Sequence, residues 1–481
     1  MNLRVVARLT GALLALLAVF VAIPAVLATV DGNWRGAIAY GGSSIMAGLA
    51  AAGLRYLGRG ATATLHRKDA LGVVALTWIG LGVFGALPLI VEGAITNPMS
   101  ALFESVSGFT TTGATVVSDV DGLSRATNLW RCLMHWLGGM GVVVLFVAVF
   151  PHFGVGARHL FRTEVPGPIT EGLRPRIRQT ALVLWWVYAT LTVACGVLLW
   201  LAGMSWFDAC CHAMSTLGTG GFSSRSASIG YFESALIDWI VFVFMILSGL
   251  NFGLYYAALR GKPLELVRNY EIRFFLFVNA LLIGVVFLAI LDRHPDALTA
   301  LRYAAFQTAA VTTTTGFMTE DFDSYPDIAR WVLFVAMFMG ACAGSTAGGL
   351  KASRVFAALK LTIKELSAAV SPNRVFVVRL GGSAVDSGVL HQIAVYICAY
   401  FLLFIAASTV LVGLGFDIQS AMSAVVACLS SVGPGLGQVG PTQNFEVVPG
   451  IGKLVLIFCM IAGRLEIFAL LAVFTPECWR R

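Results

Sequence analysis

Charge is the first thing this sequence lacks. Asp, Glu, Lys and Arg make up 12% of its 481 residues, against about 25% in an ordinary soluble domain. Disorder, which needs low hydrophobicity and high charge, is excluded, and a soluble globular enzyme is disfavoured. Paired cysteines are also missing. The nine Cys include no CxxC, and most sit in apolar runs, so they read as small buried apolar residues, not a disulfide framework. The seven His are scattered without zinc-ligand spacing. No Walker A, GxSxG or HExxH sequence occurs. The GxGxxG at Gly435 to Gly440 has no preceding strand and runs into Pro441, so it is not a dinucleotide site. A membrane enzyme would need His, Asp or Glu clustered at one membrane face, and none is visible.

What is present is apolar residue, 58% of the chain, in runs long enough to cross a bilayer, which takes about 20 residues. Nine uncharged runs span residues 9–30, 36–54, 70–91, 132–157, 179–207, 239–259, 274–291, 331–350 and 387–416. A tenth, 454–476, is interrupted by Arg464 and Glu466. The first is longer than the roughly 7–15 residues of a signal-peptide core and so reads as a span. With the N-terminus inside and ten alternating spans, cytoplasmic segments hold 23 Lys/Arg and 8 Asp/Glu, and external ones 8 and 16. This is the positive-inside pattern. It places both termini in the cytoplasm and makes clusters such as Arg174, Arg176 and Arg178 topology signals. Nucleic-acid binding has no support.

Four short segments repeat. They are Thr110-Thr111-Thr112-Gly113, Leu217-Gly218-Thr219-Gly220, Thr313-Thr314-Thr315-Gly316 and Ser430-Ser431-Val432-Gly433. Each lies between two spans, on the external side. Each follows a short helix-like stretch (98–109, 206–215, 297–310, 418–429) opened by Asn97, Ser205, Asp296 or Asp417, good N-caps. The regions 303–319 and 418–445, rich in Thr, Ser and Gly, read as re-entrant, because irregular backbone survives at membrane depth only where protein or water covers it. The repeating unit is therefore span, half-helix, loop, span, in parallel orientation around an axis along the membrane normal. The predicted fold is an all-α polytopic membrane protein with four such repeats in pseudo-fourfold symmetry around a central pore, plus two N-terminal spans. The expected organisation is extra spans at 1–68, repeat 1 at 69–157, a cytosolic loop at 158–178, repeat 2 at 179–260, a loop at 261–273, repeat 3 at 274–350 with a broken last helix, a loop at 351–386 and repeat 4 at 387–481. Helix C-termini favour a cation, and carbonyls of four loops can replace its hydration shell. The candidate ion-binding residues are Thr111, Thr112, Gly113, Gly218, Thr219, Gly220, Thr314, Thr315, Gly316, Ser431, Val432 and Gly433. The bland alternative is that these glycines only pack helices; four at matching places argue against it.

These motifs, extended by Ala114-Thr115, Gly221-Phe222-Ser223, Phe317 and Pro434-Gly435-Leu436-Gly437, resemble the Trk/Ktr/HKT superfamily of potassium transport proteins over nearly the whole chain. The two extra spans resemble the Trk branch. The resemblance implies gated, channel-like potassium uptake across the bacterial inner (plasma) membrane and a homodimer with one pore per protomer. It also implies a cytosolic regulatory ring of nucleotide-binding (NAD/ATP-type) subunits. No cofactor is expected on this chain, K⁺ being cargo. Glycine at all four filter positions goes with potassium in the family. Gly218 and Val432, where the other loops carry Thr or Ser, predict weaker K⁺/Na⁺ discrimination than in a symmetric channel.

Two features lie below the filter. The run Gly340, Ala341, Cys342, Ala343, Gly344, Ser345, Thr346, Ala347, Gly348, Gly349 interrupts a span, because Gly costs a helix about 1 kcal/mol relative to Ala. A close helix-packing face is the alternative. The run is similar to the family's intramembrane gate loop, with Lys351 at the inner mouth. Arg464 lies mid-span, where charge costs about 2.5–3.5 kcal/mol. It does not face Glu466 on a helix, and the resemblance implies that it faces the pore beside the gate loop. A coupled H⁺ or Na⁺ symporter is the alternative function, disfavoured because only Arg464 and Glu466 fall inside the spans. The cytosolic stretches 158–178 and 351–379 are candidate docking surfaces.

Overall fold

The computed structural model describes residues 1–61, 66–141, 177–371, 377–465, 467–473 and 475–476. The later part of the 132–157 span, most of the 158–178 loop and Glu466 lie outside the described residues.

The described chain is almost entirely helical. Two helices, α1 (Leu3–Val30) and α2 (Trp34–Leu57), form a hairpin ahead of the repeats. Repeat 1 contributes α3 (Arg67–Glu92), α4 (Pro98–Phe109) and α5 (Arg125–Gly139). Repeat 2 contributes α6 (Ile177–Leu201), α7 (Trp206–Gly218), α8 (Ala235–Ser248) and α9 (Phe252–Leu259), followed by the short α10 (Leu264–Arg268). Repeat 3 has α11 (Tyr270–Ile290), α12 (Ala297–Thr312), α13 (Asp327–Met339) and α14 (Ala352–Val370). A two-residue β-hairpin, Arg379–Leu380 with Ser383–Ala384, leads into repeat 4. That repeat has α15 (Ser387–Gly413), α16 (Ile418–Leu429), α17 (Gly450–Leu465) and α18 (Ile467–Val473).

Among the described residues, six helices are long and apolar enough to cross a membrane: α1, α2 and the outer span of each repeat, α3, α6, α11 and α15. The ten predicted runs divide by position. Outer spans are continuous, whereas the inner spans of repeats 2 and 3 are broken. The pair α8 and α9 bends by 91°. Between α13 and α14 the helix is lost from Gly340 to Lys351. The outer span of repeat 1 is 61% buried, against 22–33% for those of repeats 2 to 4, because α1 and α2 pack over it. Large apolar side chains elsewhere on the spans face outward, including Trp186, Val193, Phe277, Leu288 and Leu402. That is the inside-out arrangement expected of helices solvated by lipid.

The four half-helices α4, α7, α12 and α16 lie at the centre. Their N-terminal N–H groups are satisfied as the sequence predicts: Asn97, Ser205, Asp296 and Asp417 each accept a backbone N–H from the first turn. Half-helices α7 and α12 run to Gly218 and Thr312, a few residues past the expected ends, because Thr216 and Thr312 bond back to His212 O and Thr308 O and prolong the last turn.

Candidate functional site

Each half-helix ends in the same way. Thr112 N–H donates to Ser107 O (2.9 Å), Gly220 N–H to Ser215 O (2.9 Å), Thr315 N–H to Ala310 O (2.8 Å) and Val432 N–H to Ala427 O (2.8 Å). These are the six-to-one bonds of a helix stop whose penultimate residue is left-handed. That residue is usually Gly. Here it is Thr111 (φ 54°), Thr219 (52°), Thr314 (56°) or Ser431 (59°). A β-branched residue with positive φ is an outlier, and such a conformation persists only when its surroundings over-determine it. Two residues on, each loop has a left-handed glycine: Gly113, Gly221, Gly316 and Gly433.

This geometry shifts the sequence alignment of repeat 2 by one residue. The residue equivalent to Gly113, Gly316 and Gly433 is Gly221, not Gly220, and Gly220 is equivalent to Thr112, Thr315 and Val432. The sequence there reads Gly-Thr-Gly-Gly, and two adjacent glycines leave the register open until the backbone bonds are seen. Gly218 then matches Thr110, Thr313 and Ser430. The four left-handed helix-stop positions, Thr111, Thr219, Thr314 and Ser431, all carry a hydroxyl.

The loops close on one another. A Cβ on Gly113 would collide with Gly220 O, one on Gly221 with Thr315 O, one on Gly316 with Val432 O, and one on Gly433 with Thr112 O. Each loop's glycine thus lies against the carbonyl of the next, and the fourth returns to the first. Thr111, Thr112, Thr219, Thr314, Thr315, Ser431 and Val432 are all fully buried. The structure therefore brings eleven of the twelve candidate residues to the four loop tips; Gly218 is the last residue of α7, one step below.

Behind the ring, sequence reasoning missed a set of braces. Seven residues before the left-handed residue, three half-helices carry a buried polar side chain: Glu104, His212 and Gln307. Each reaches the outgoing leg of its own loop. Glu104 accepts from Thr115 Oγ1 (3.0 Å) and Val116 N (2.9 Å). His212 Nδ1 donates to Asp208 O (2.7 Å), which leaves Nε2 to accept from Ser223 Oγ (2.8 Å). Gln307 Nε2 donates to Thr319 Oγ1 (3.2 Å) and Glu320 O (3.1 Å). In repeat 4, Ser423 Oγ accepts from Leu436 N (2.9 Å) and Asp323 accepts from Gly437 N (2.9 Å). Arg131 pairs with Glu104 (2.8 Å) and donates to Ser223 O (3.2 Å), tying loop 1 to loop 2. The ion pair is fully buried, so Arg464 and Glu466 are not the only ionisable residues in the membrane-embedded part. The spacing of Glu104, His212 and Gln307 from the repeated glycines was the available signal.

Repeats 1 and 3 also hold paired hydroxyls, Thr110 with Thr112 and Thr313 with Thr315, both 2.8 Å. Repeat 2 has Gly218 and Gly220 there instead. The ring of His135, from α5, fills the space: a Cβ on Gly220 would collide with it. Phe222 N–H donates to His135 Nδ1 (3.3 Å), and Ser215 Oγ lies 3.1 Å from the same nitrogen.

The Gly340–Lys351 segment sits directly beneath the ring. Gly340, Gly344, Gly349 and Lys351 have φ of 66–75°. Gly348 N–H donates to Thr314 Oγ1 (2.8 Å), and a Cβ on Gly348 would meet Ser430 O. Arg464 donates to Thr346 O (2.8 Å), to Thr111 Oγ1 (3.4 Å), to Gly139 O (2.7 Å) and to Gly138 O. One guanidinium thus joins the segment, loop 1 and the end of α5. The broken span of repeat 2 borders the segment as well: Cys342 N–H donates to Gly249 O (3.0 Å), Phe252 N–H to Gly344 O (3.0 Å) and Thr346 Oγ1 to Ser248 O (3.3 Å). Ser345 and Lys351 turn back on the segment itself, toward Cys342 O and Ala347 O. A small cavity of about 70 Å³ opens below it, with Gly344, Gly348, Lys351 and Arg464 in its wall. Among the described residues no group of His, Cys, Asp or Glu could hold a resident metal ion.

A family profile described as TrkH, cation transport protein, matches residues 42–480. The chain is 39% identical to the Trk system potassium uptake protein TrkH of Halomonas elongata over 488 residues, covering 100% of both chains. It is 39% identical to the TrkH of Escherichia coli K12 over 493 residues, again covering both chains in full. With the E. coli TrkG it shares 35% identity over 427 residues, 86% of each chain. The crystal structure of the potassium transporter TrkH from Vibrio parahaemolyticus superposes with a TM-score of 0.90 at 37% identity over all of both chains.

Proposed function

This chain belongs to the TrkH family of cation transport proteins, and on that premise we propose that it is a multi-pass membrane protein for potassium uptake through a gated, channel-like pore. The observation that carries the reading is the closed ring of four loops. Carbonyls of Thr112, Gly220, Thr315 and Val432 lie next to one another around it, behind four half-helix C-termini whose partial negative charge favours a cation. Such carbonyls can take the place of the hydration shell of K⁺. The filter in this proposal comprises Thr111, Thr112, Gly113, Thr219, Gly220, Gly221, Thr314, Thr315, Gly316, Ser431, Val432 and Gly433, with Gly218 supporting it from below.

The gate in this reading is the segment containing Gly340, Gly344, Ser345, Thr346, Gly348 and Gly349, ended by Lys351 and held by Arg464. A segment bonded to the underside of the ring obstructs the ion path, and a guanidinium beside it repels cations. Transport without coupling to H⁺ or Na⁺ is supported by the pairing of Glu104 with Arg131, buried ionisable groups beside the ring. We extend the family expectation of a homodimer in the bacterial inner membrane, with cytoplasmic termini and a cytosolic nucleotide-binding regulatory ring, to this chain; the relatives' names describe a Trk system.

The test is uptake of radioactive rubidium into liposomes holding the purified protein, with K⁺, Na⁺ and Li⁺ as competitors and no pH gradient. Competition strongest by K⁺ is the expected outcome; uptake that requires an imposed pH gradient would replace the channel-like reading by a coupled one. Arg464→Ala removes the side chain that ties the segment to loop 1 and the end of α5 and is expected to raise basal uptake roughly tenfold, the shift for about 1.4 kcal/mol lost from the closed state. Unchanged uptake in well-expressed protein would take Arg464 out of the gate.

A further inference from the structure

We propose that the gate segment has a second, cytosolic-side latch, Glu271, and that the pore opens when either latch is lost. The inference deepens the gate reading above and rests on it. Glu271 lies in the first turn of α11, the outer span of repeat 3, and is 6% exposed. Its Oε1 accepts two backbone N–H groups: Ala343 at 2.7 Å, in the middle of the segment, and Ser353 at 3.1 Å, in the first turn of α14 just beyond it. One carboxylate oxygen therefore ties the segment and the helix that follows it to a span that does not itself break. The Ser353 hydroxyl and the charge of Lys351 also act on this carboxylate, and so buried a group is a costly arrangement unless its bonds are made. The donors also depend on it: a buried N–H left unmade costs a comparable amount.

The two latches act at different points of the segment. Arg464 and Thr314 hold its later part, through Thr346 O and Gly348 N. Glu271 holds its middle, through Ala343 N. Left-handed residues flank the Glu271 contact at Gly340, Gly344, Gly349 and Lys351, so the segment has points about which it can swing once the bond is broken. The position of Glu271 also makes it reachable from the cytosol. The helix α10 ends at Arg268, just before α11 begins, and lies in the 261–273 stretch, expected to be cytosolic, that follows α9, the second half of the broken span of repeat 2. A pull on that stretch acts at once on Glu271 and on the Phe252–Gly344 bond. Glu271 is a positioning residue in this scheme, since it touches the gate and not the ion.

The experiment compares full-length wild type, R464A, E271A, E271D and E271Q. Basal rubidium uptake is measured in liposomes without any partner. In parallel, the full chain in detergent, keeping Cys342 as its sole cysteine, is labelled with a charged maleimide. Cys342 is fully buried in the segment, so its labelling rate reports the segment's position without reference to flux. E271A is expected to raise uptake and labelling together by about tenfold. E271D, too short to reach both donors, should do the same to a smaller extent. E271Q keeps an acceptor oxygen and should restore slow labelling and most of the closure. Wild-type uptake and labelling in E271A overturn the latch, and so does E271Q as open as E271A. If E271A does not fold, wild-type behaviour of E271D overturns it. Absence of rubidium uptake from wild type, R464A and E271A alike overturns the pore reading itself, whereas a leaky R464A beside a tight E271A overturns only the second latch.

Discussion

The ring loops and the segment beneath them are made of the same residues, glycine with Thr, Ser and Ala, yet they are opposite kinds of structure. Each ring loop is trapped three ways: by a helix stop below, by a side-chain brace behind, and by the carbonyl of the next loop beside it. The segment occurs once, has no copy of itself beside it, and is held by single bonds from elements that are not its own neighbours in sequence. Composition therefore does not decide how a glycine-rich stretch is supported. The kind of partner does: each ring loop has a helix stop and a brace plus a neighbouring copy, and strained Thr and Ser backbones persist there because those supports over-determine them.

The strongest way to break this contrast is Gly316→Ala. Its φ is 74°, which strains a non-glycine residue by about 1–3 kcal/mol, and the new methyl would strike the backbone of loop 4. Potassium-competed uptake is expected to fall by roughly a hundredfold or more, whereas Gly344→Ala in the segment, where the nearest atoms belong to the Asn251 side chain, should alter basal leak and leave ion preference alone. Equal loss of ion preference in both variants would remove the distinction. Next in size is Glu104→Ala, which leaves the guanidinium of Arg131 buried and unpaired. Breaking such a pair costs about 3–5 kcal/mol, read as a large drop in thermal midpoint. Pairing it with Arg131→Met should recover part of the loss. A midpoint that does not move means loop 1 stands without its brace.

How much of this was legible beforehand divides along the same line. Half-helix starts were readable because Asn97, Ser205, Asp296 and Asp417 are local signals, satisfied within three residues. The break at Gly340 to Gly349 was readable because four glycines fall within ten residues, each weakening a helix. The register of loop 2 was not, since Gly218, Gly220 and Gly221 differ only in which backbone N–H meets Ser215 O. The braces were not either: Glu104, His212 and Gln307 act on residues across a turn of chain whose path only the fold supplies, and His135 comes from a different repeat. Glu104 and Arg131 fell in stretches assigned to the external side, so their burial could not be read from an uncharged-run criterion.

A sharper comparison is possible within the ring. Repeat 2 replaces a hydroxyl pair by two glycines and the His135 imidazole. Gly220→Thr alone forces a side chain into that ring and should cost about 1–3 kcal/mol, as overpacking does. Adding His135→Ala vacates the space and lets the new Thr take the place that Thr112 and Thr315 hold in their loops. The double variant is expected to be more stable than Gly220→Thr and more selective for K⁺ over Na⁺ than His135→Ala. Additive losses would mean that His135 does something other than fill and bond that space.

The smallest effect lies at the outer end of a half-helix and tests whether the caps act by hydrogen bonding or by charge. Asp417 accepts from Ser420, by side chain and by N–H (2.9 Å), and these bonds hold its carboxyl below the usual carboxylate range. A lowered folded-state value means the stabilisation is complete above the unfolded value, about 3.9, and is lost as pH falls through the folded one. At neutral pH, Asp417→Ala should cost about 1 kcal/mol. Asp417→Asn keeps the acceptor and should cost little, and its stability should not follow the carboxylate's acid titration. The wild type should therefore approach Asp417→Ala only in strong acid, while Asp417→Asn stays above both. If Asp417→Asn instead matches Asp417→Ala at neutral pH, the carboxylate acts through its charge on the end of α16, and the half-helix would be sensitive to salt where the hydrogen-bond account says it is not.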